Sequence, residues 1–204
     1  ANQRNARVFA RSPARQMMAR AASLPEKAGY VYAGHALRAT YGSTFRCENV
    51  TINTASVLNY DYSDPANQFF FTNCLLVQIT TTNSYSGASN AVLASTNGVF
   101  QTVGGGAHYL ASDSPYRGAG TTNINTQLMA DLRQRTTYPP LILTGGITQD
   151  TILGPVVQRD SAGQPDVGYH YDALDYIVCS LLVTNAVLTL TNRVAVAICV
   201  TNAA

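Results

Sequence analysis

From Tyr41 onward, apolar residues recur at every second position over short runs, with Thr, Asn, Gly or Asp between the runs. A period of two over three to five residues predicts short strands with one face turned inward. TFRCENVTI (44–52) and FTNCLLVQI (71–79) superpose at an offset of 27 residues, which sets Cys47 on Cys74, Val50 on Val77 and Ile52 on Ile79. A recurrence of that length predicts stacked coils, in which like lies upon like. Thr-Asn recurs at 72–73, 82–83, 96–97, 122–123, 184–185, 191–192 and 201–202, mostly beside an apolar run. Asn tolerates the left-handed backbone of a tight corner, and corners that recur in a stack can bond to one another through their side-chain amides.

Three stretches break this pattern. Residues 1–40 are rich in Ala and Arg, with Arg4, Arg7, Arg11 and Arg15 spaced as one face of a helix, so a partly helical leader or linker is expected there. Residues 98–125 are Gly-rich and irregular, with Gly104, Gly105 and Gly106 read as a turn. TQLMADLRQR then places Leu128 and Leu132 four apart behind Asn125 as an N-cap, predicting a short helix stopped by TTYPP. YIVCSLLVTNAVLTLTNRVAVAICV (176–200) returns to three short β runs, which start a further β module or add coils to the first. The expected division is therefore a leader over 1–40, coils with a closing segment over 41–175, and added strands over 176–204.

Composition sharpens the β reading. Charged residues make up only 12% of the 204-residue chain, against roughly 25% in an ordinary domain, while 22 Thr and 15 Asn fill the polar positions. The net charge of +2 conceals an asymmetry, because Arg4, Arg7, Arg11, Arg15 and Arg20 all precede the first acid, Glu26. No basic face with interleaved aromatics follows, which argues against nucleic acid as a partner. No run of 18 apolar residues exists to span a membrane. Cys47, Cys74, Cys179 and Cys199 form no CxxC pair, so buried free thiols are expected in place of a zinc site, with one disulfide open if the protein is secreted.

The motifs that bear on function begin with His108-Tyr109-Leu110, Ser114-Pro115 and Gly118-Ala119-Gly120, followed after residues 121–165 by Asp166-Val167-Gly168-Tyr169-His170-Tyr171. This combination resembles the closing segments of secreted bacterial right-handed parallel β-helix proteins of the pectin-lyase-like type. The resemblance implies an all-β, right-handed parallel β-helix (solenoid) fragment with a short helical insertion and an irregular N-terminal leader. It also implies an extracellular or cell-surface location, and a closing motif carried by Ser114, Pro115, Gly120, Asp166, Gly168, Tyr169 and Tyr171. The long stretch between the two halves of the motif departs from the family and suggests an insertion.

Catalytic signals are thin. Asp166 before Val-Gly is suited to capping backbone N–H groups, so QPDVGYHYD reads as a closure and not as a metal or catalytic site. Lyases of the resembled family hold calcium with clustered aspartates and use a basic residue on a proton beside a sugar carboxylate. Asp61 and Asp64 in NYDYSDP, with Arg38 or Arg46, are the candidates for that alternative, and calcium is implied only there. No GxSxG elbow surrounds a Ser, and Gly104-Gly105-Gly106 lacks the Lys of a phosphate loop. Asn49-Val50-Thr51 matches a glycosylation acceptor but falls in an expected strand. The leading expectation is a non-catalytic segment without cofactor or metal, either structural or binding polysaccharide or cell-surface components through exposed Tyr60, Tyr62, Tyr85 and Tyr116; the alternative is a polysaccharide lyase or glycoside hydrolase of the resembled type.

Overall fold

The computed structural model describes residues 6–7, 35–39, 44–61 and 68–199. Strands take 46% of the chain and the single helix among the described residues is seven residues long, so the fold is all-β. Two compact units interleave along the sequence: residues 1–97, 115–126 and 163–169 form the first, and residues 98–114, 127–162 and 170–204 the second.

In the first unit the strands are β1 (Ala6–Arg7), β2 (His35–Ala39), β3 (Thr44–Glu48), β4 (Thr51–Asp61), β5 (Gln68–Thr72), β6 (Leu75–Thr81) and β7 (Ala91–Leu93). From β2 to β6 they alternate between two sheets, ordered β1-β3-β5 and β2-β4-β6-β7, and every pairing is parallel. Thr44 faces Gln68 and Thr51 faces Leu75, a step of 24 residues in both sheets. The expected 27-residue superposition is therefore wrong by three: Cys47 lies opposite Phe71, and Ile52 opposite Leu76.

The physical equivalence is one of corners, not of matching Cys and Val letters. Asn49 and Asn73 adopt left-handed backbone with φ of 52° and 55°, each linking a strand of one sheet to a strand of the other, and Ser89, at φ 54°, turns the chain ahead of β7. A side-chain amide bond from Asn73 Nδ2 to Asn49 Oδ1 at 3.1 Å joins two of these corners. A second matched feature is the left-handed pair Thr54 and Gln78, which shifts the inward alternation by one residue in both β4 and β6. Ile52 and Ala55 thus both face the core, as Leu76 and Ile79 do one step later.

This core joins Cys47, Ile52, Ala55, Leu58, Phe69, Phe71, Cys74 and Leu76, with Phe45 stacked on Phe69 at 5.5 Å. Cys47 and Cys74 are free thiols, as the sequence suggests. Burial pushes them up to about 11 and about 12, so both are inert near neutral pH. The helical face expected for Arg4, Arg7, Arg11 and Arg15 is not formed at Arg7, which lies in β1, and the other three lie outside the described residues.

The second unit contains the hairpin β8 (Phe100–Val103) and β9 (Gly106–Leu110), helix α1 (Thr126–Leu132, beginning one residue before the unit), β10 (Arg135–Thr136), β11 (Leu141–Ile147), β12 (Thr151–Leu153), β13 (Tyr171–Asp172), β14 (Tyr176–Val183), β15 (Leu188–Leu190) and β16 (Val196–Ile198). The glycine turn joins β8 to β9 with Gly104 at φ 56°, as its sequence demands. The helix behind Asn125 and the three β runs after residue 176 form where the pattern puts them. Parallel order β11-β14-β16 and the parallel pair β12-β15 again alternate along the chain. Cys179 and Cys199 form a disulfide, which corrects the expectation that all four cysteines are buried thiols.

Candidate functional site

In the first unit, residues 164–169 sit directly on the corner ladder. Asp166 places its carboxylate Oδ1 at 2.7 Å from the Gly118 N–H, and its carbonyl accepts from Asn49 Nδ2 at 2.8 Å. Gly168 N donates to the Asn73 carbonyl at 2.8 Å, and Tyr169 N to Thr51 Oγ1 at 3.0 Å. Gly168 has φ of 94°, and a Cβ there would lie 2.7 Å from Leu75 Cδ1 and 2.8 Å from Thr51 Oγ1, so glycine alone fits.

The other half of the motif is anchored in the same unit. Gly120 N donates to the Pro165 carbonyl at 2.8 Å, and Val167 N to that of Tyr116 at 2.9 Å. Asn73 closes the arrangement, donating to the Thr121 carbonyl at 2.9 Å and accepting from the Thr121 N–H at 2.7 Å. Asn49 is the residue that sequence reasoning misplaced: it is a buried corner and not a strand residue, and its amide is engaged with the Asp166 carbonyl. Its signal is the 24-residue spacing to Asn73, visible only once the register is known.

The second unit holds its own titratable clusters. His170 Nε2 lies 2.9 Å from Asp160 Oδ2, and Arg133 donates to the Asp160 carbonyl at 3.1 Å. A His–Asp pair can serve as a base, but His170 is only 2% exposed, which seals it from any substrate. Asp175, with none of its side chain exposed, takes two contacts from Arg159 at 2.7 and 3.0 Å and three backbone N–H bonds, from Val156, Val157 and Ala195. Burial by itself would raise this carboxyl, but the Arg159 guanidinium and the three N–H donors outweigh it and hold Asp175 well below the usual carboxylate range.

Tyr171 packs against Tyr109 with ring centroids 4.2 Å apart and a tilt of 32°, and its hydroxyl accepts a bond from the His108 N–H at 3.0 Å. Burial pushes His108 below its ordinary value. Ser114 is buried and its N–H donates to the Ala111 carbonyl, while Pro115 is exposed.

The residues expected for lyase chemistry or sugar contact fare differently. Tyr60 and Asp61 belong to β4 and Arg38 to β2, but their side chains, like Tyr62 and Asp64 entirely, lie outside the described residues. Arg46 is exposed, its guanidinium 4.2 Å above the Phe70 ring on the adjacent strand. Tyr85 and Tyr116 are half-buried where exposure was expected. Tyr85 packs edge-on against Phe71 at 5.1 Å, because the core of the first unit extends under it. Among the described residues no helix is long and apolar enough to cross a membrane.

Comparison with family models, curated proteins and solved structures yields no match for this chain.

Proposed function

We propose that this chain is a non-catalytic segment of a secreted or cell-surface right-handed parallel β-helix protein, acting as a structural element that presents a surface to polysaccharide or to neighbouring surface components. The observation that carries this reading is the engagement of its chemistry-bearing side chains. Asp150, Asp160, Asp166, Asp172 and Asp175 each hold a backbone N–H or a cationic partner of the fold. Catalytic carboxylates need access to substrate, and the best-organised pair, Asp160 with His170, has none.

Three further features support it. Alternating parallel sheets that share a 24-residue step at β3–β5 and β4–β6 suit a coil. The Asn49–Asn73 bond suits a stack of equivalent corners. A disulfide suits an oxidising compartment. Exposed Arg46, seated over the half-buried Phe70 ring, is the surface feature with the chemistry to meet a sugar face or an acid group.

The test is incubation of the purified chain with acidic and neutral polysaccharides, with and without calcium, and mass spectrometry of the supernatant. No new oligosaccharides are expected from any polymer. Calcium-dependent unsaturated products would overturn the proposal in favour of a lyase built on Asp61, Asp64 and Arg46.

A further inference from the structure

β16 is three residues long and forms one margin of the β11-β14-β16 sheet. Its side chains gain little cover from docking, since Val196 remains 36% and Ile198 79% exposed. An edge strand that buries so little cannot offset its own ordering entropy through the hydrophobic effect. Its attachment is made at its two ends instead. At the first, Ala195 N donates to Asp175 Oδ2 at 3.0 Å, and Asp175 N donates to the Ala195 carbonyl at 2.9 Å. At the second, Cys199 N donates to the Val178 carbonyl at 2.9 Å beside the Cys179–Cys199 disulfide, which closes a separation of 20 residues.

We propose that the Cys179–Cys199 disulfide is a redox-controlled lock on the β16 edge: oxidised, it holds β16 in register on β14; reduced, it lets β16 detach and opens the backbone edge of Tyr176–Val178. Cys179 lies in the central strand β14 and Cys199 just past β16, and both are half-buried, which leaves the bridge within reach of a small dithiol. A thiolate of that dithiol attacks one sulfur of the bridge, giving a mixed disulfide and one cysteine thiolate. The second thiol of the reductant then displaces the other cysteine. The reductant leaves as a cyclic disulfide, and two electrons and two protons end on Cys179 and Cys199. The chain has no ready internal competitor for this exchange, because burial holds the Cys47 and Cys74 thiols at about 11 and about 12. Asp175 keeps the first end of β16 tethered in either state, so the release is a local one.

The experiment is amide hydrogen exchange on the whole oxidised chain, on the same chain reduced with dithiothreitol, and on the Cys179→Ser/Cys199→Ser double variant, with thiols counted after denaturation. The expected result is two reactive thiols before reduction and four after. Protection at residues 196–199 should fall at least about tenfold in both the reduced chain and the variant, while residues 75–81 keep theirs. Equal protection at 196–199 after complete reduction would overturn the lock. So would four reactive thiols in the oxidised chain, or a loss of protection spread over the whole molecule.

Discussion

Asn73 meets three demands at once: a left-handed backbone, complete burial, and hydrogen bonds to Asn49 and to both backbone groups of Thr121. Asn73→Ala strands these partners and puts a Cβ-bearing residue without a compensating amide at positive φ. Each buried group left unsatisfied costs about 1–3 kcal/mol, so a loss of about 3 kcal/mol or more is expected in urea unfolding. Asn73→Gly relieves the backbone demand and should lose less, a ranking that separates corner geometry from bonding. A variant indistinguishable from the parent would contradict the ladder. Asp175 gives a pH-dependent counterpart. Its folded-state pKa is depressed, so the unfolded chain takes up a proton near the ordinary value of about 3.9 while the folded chain does not. The stability it contributes is present above that value and is lost as pH falls below it. The urea midpoint should therefore drop between pH 5 and pH 2.5. Asp175→Asn should flatten the drop while lowering stability at pH 7 by about 3 kcal/mol, the order of the cost of breaking an ion pair whose carboxylate is buried. The turn-forming role of Asn was legible from residue type at 73, 185 and 192, all of which are left-handed. The partners were not, because Arg159 and Asp175, or Asn73 and Thr121, meet only through the tertiary fold.

Single elements were easier to read than their pairing. The helix behind Asn125, the glycine turn and the runs after residue 176 follow from period, caps and turn residues alone. Register does not, because the matching letters straddle a corner: Cys47 precedes the left-handed Asn49, whereas Cys74 follows the left-handed Asn73. The matched left-handed residues Thr54 and Gln78 add an inserted position that no alternating pattern anticipates. Residues 164–169 show what fixes the geometry: Gly168 lies against Leu75 and Thr51 with no room for a methyl group. Gly168→Ala should accordingly force this segment off β4 and β6, with overpacking and positive-φ strain together costing about 2–3 kcal/mol. Thermal unfolding reads this directly, and an unchanged midpoint would mean that residues 164–169 are not seated as described.

For the whole molecule, composition pointed to the all-β class, since few charges and many Thr and Asn suit stacked strands. The interleaving of two units was hidden, because residues 163–169 join the first unit across a long sequence separation. Asp150, Asp160, Asp166, Asp172 and Asp175 are partners of backbone N–H groups or of arginines in the fold. That arrangement is the basis of the non-catalytic reading, and in the first unit Asp166 takes its place through the parallel register that creates the corners. The most direct measurement is therefore inter-strand NOE mapping of the 204-residue chain in solution. The account predicts contacts linking Arg46 with Phe70 and Asn53 with Val77, at the 24-residue step and in parallel sense. Contacts joining Cys47 to Cys74 as strand partners, or an antiparallel pattern across β4 and β6, would contradict it.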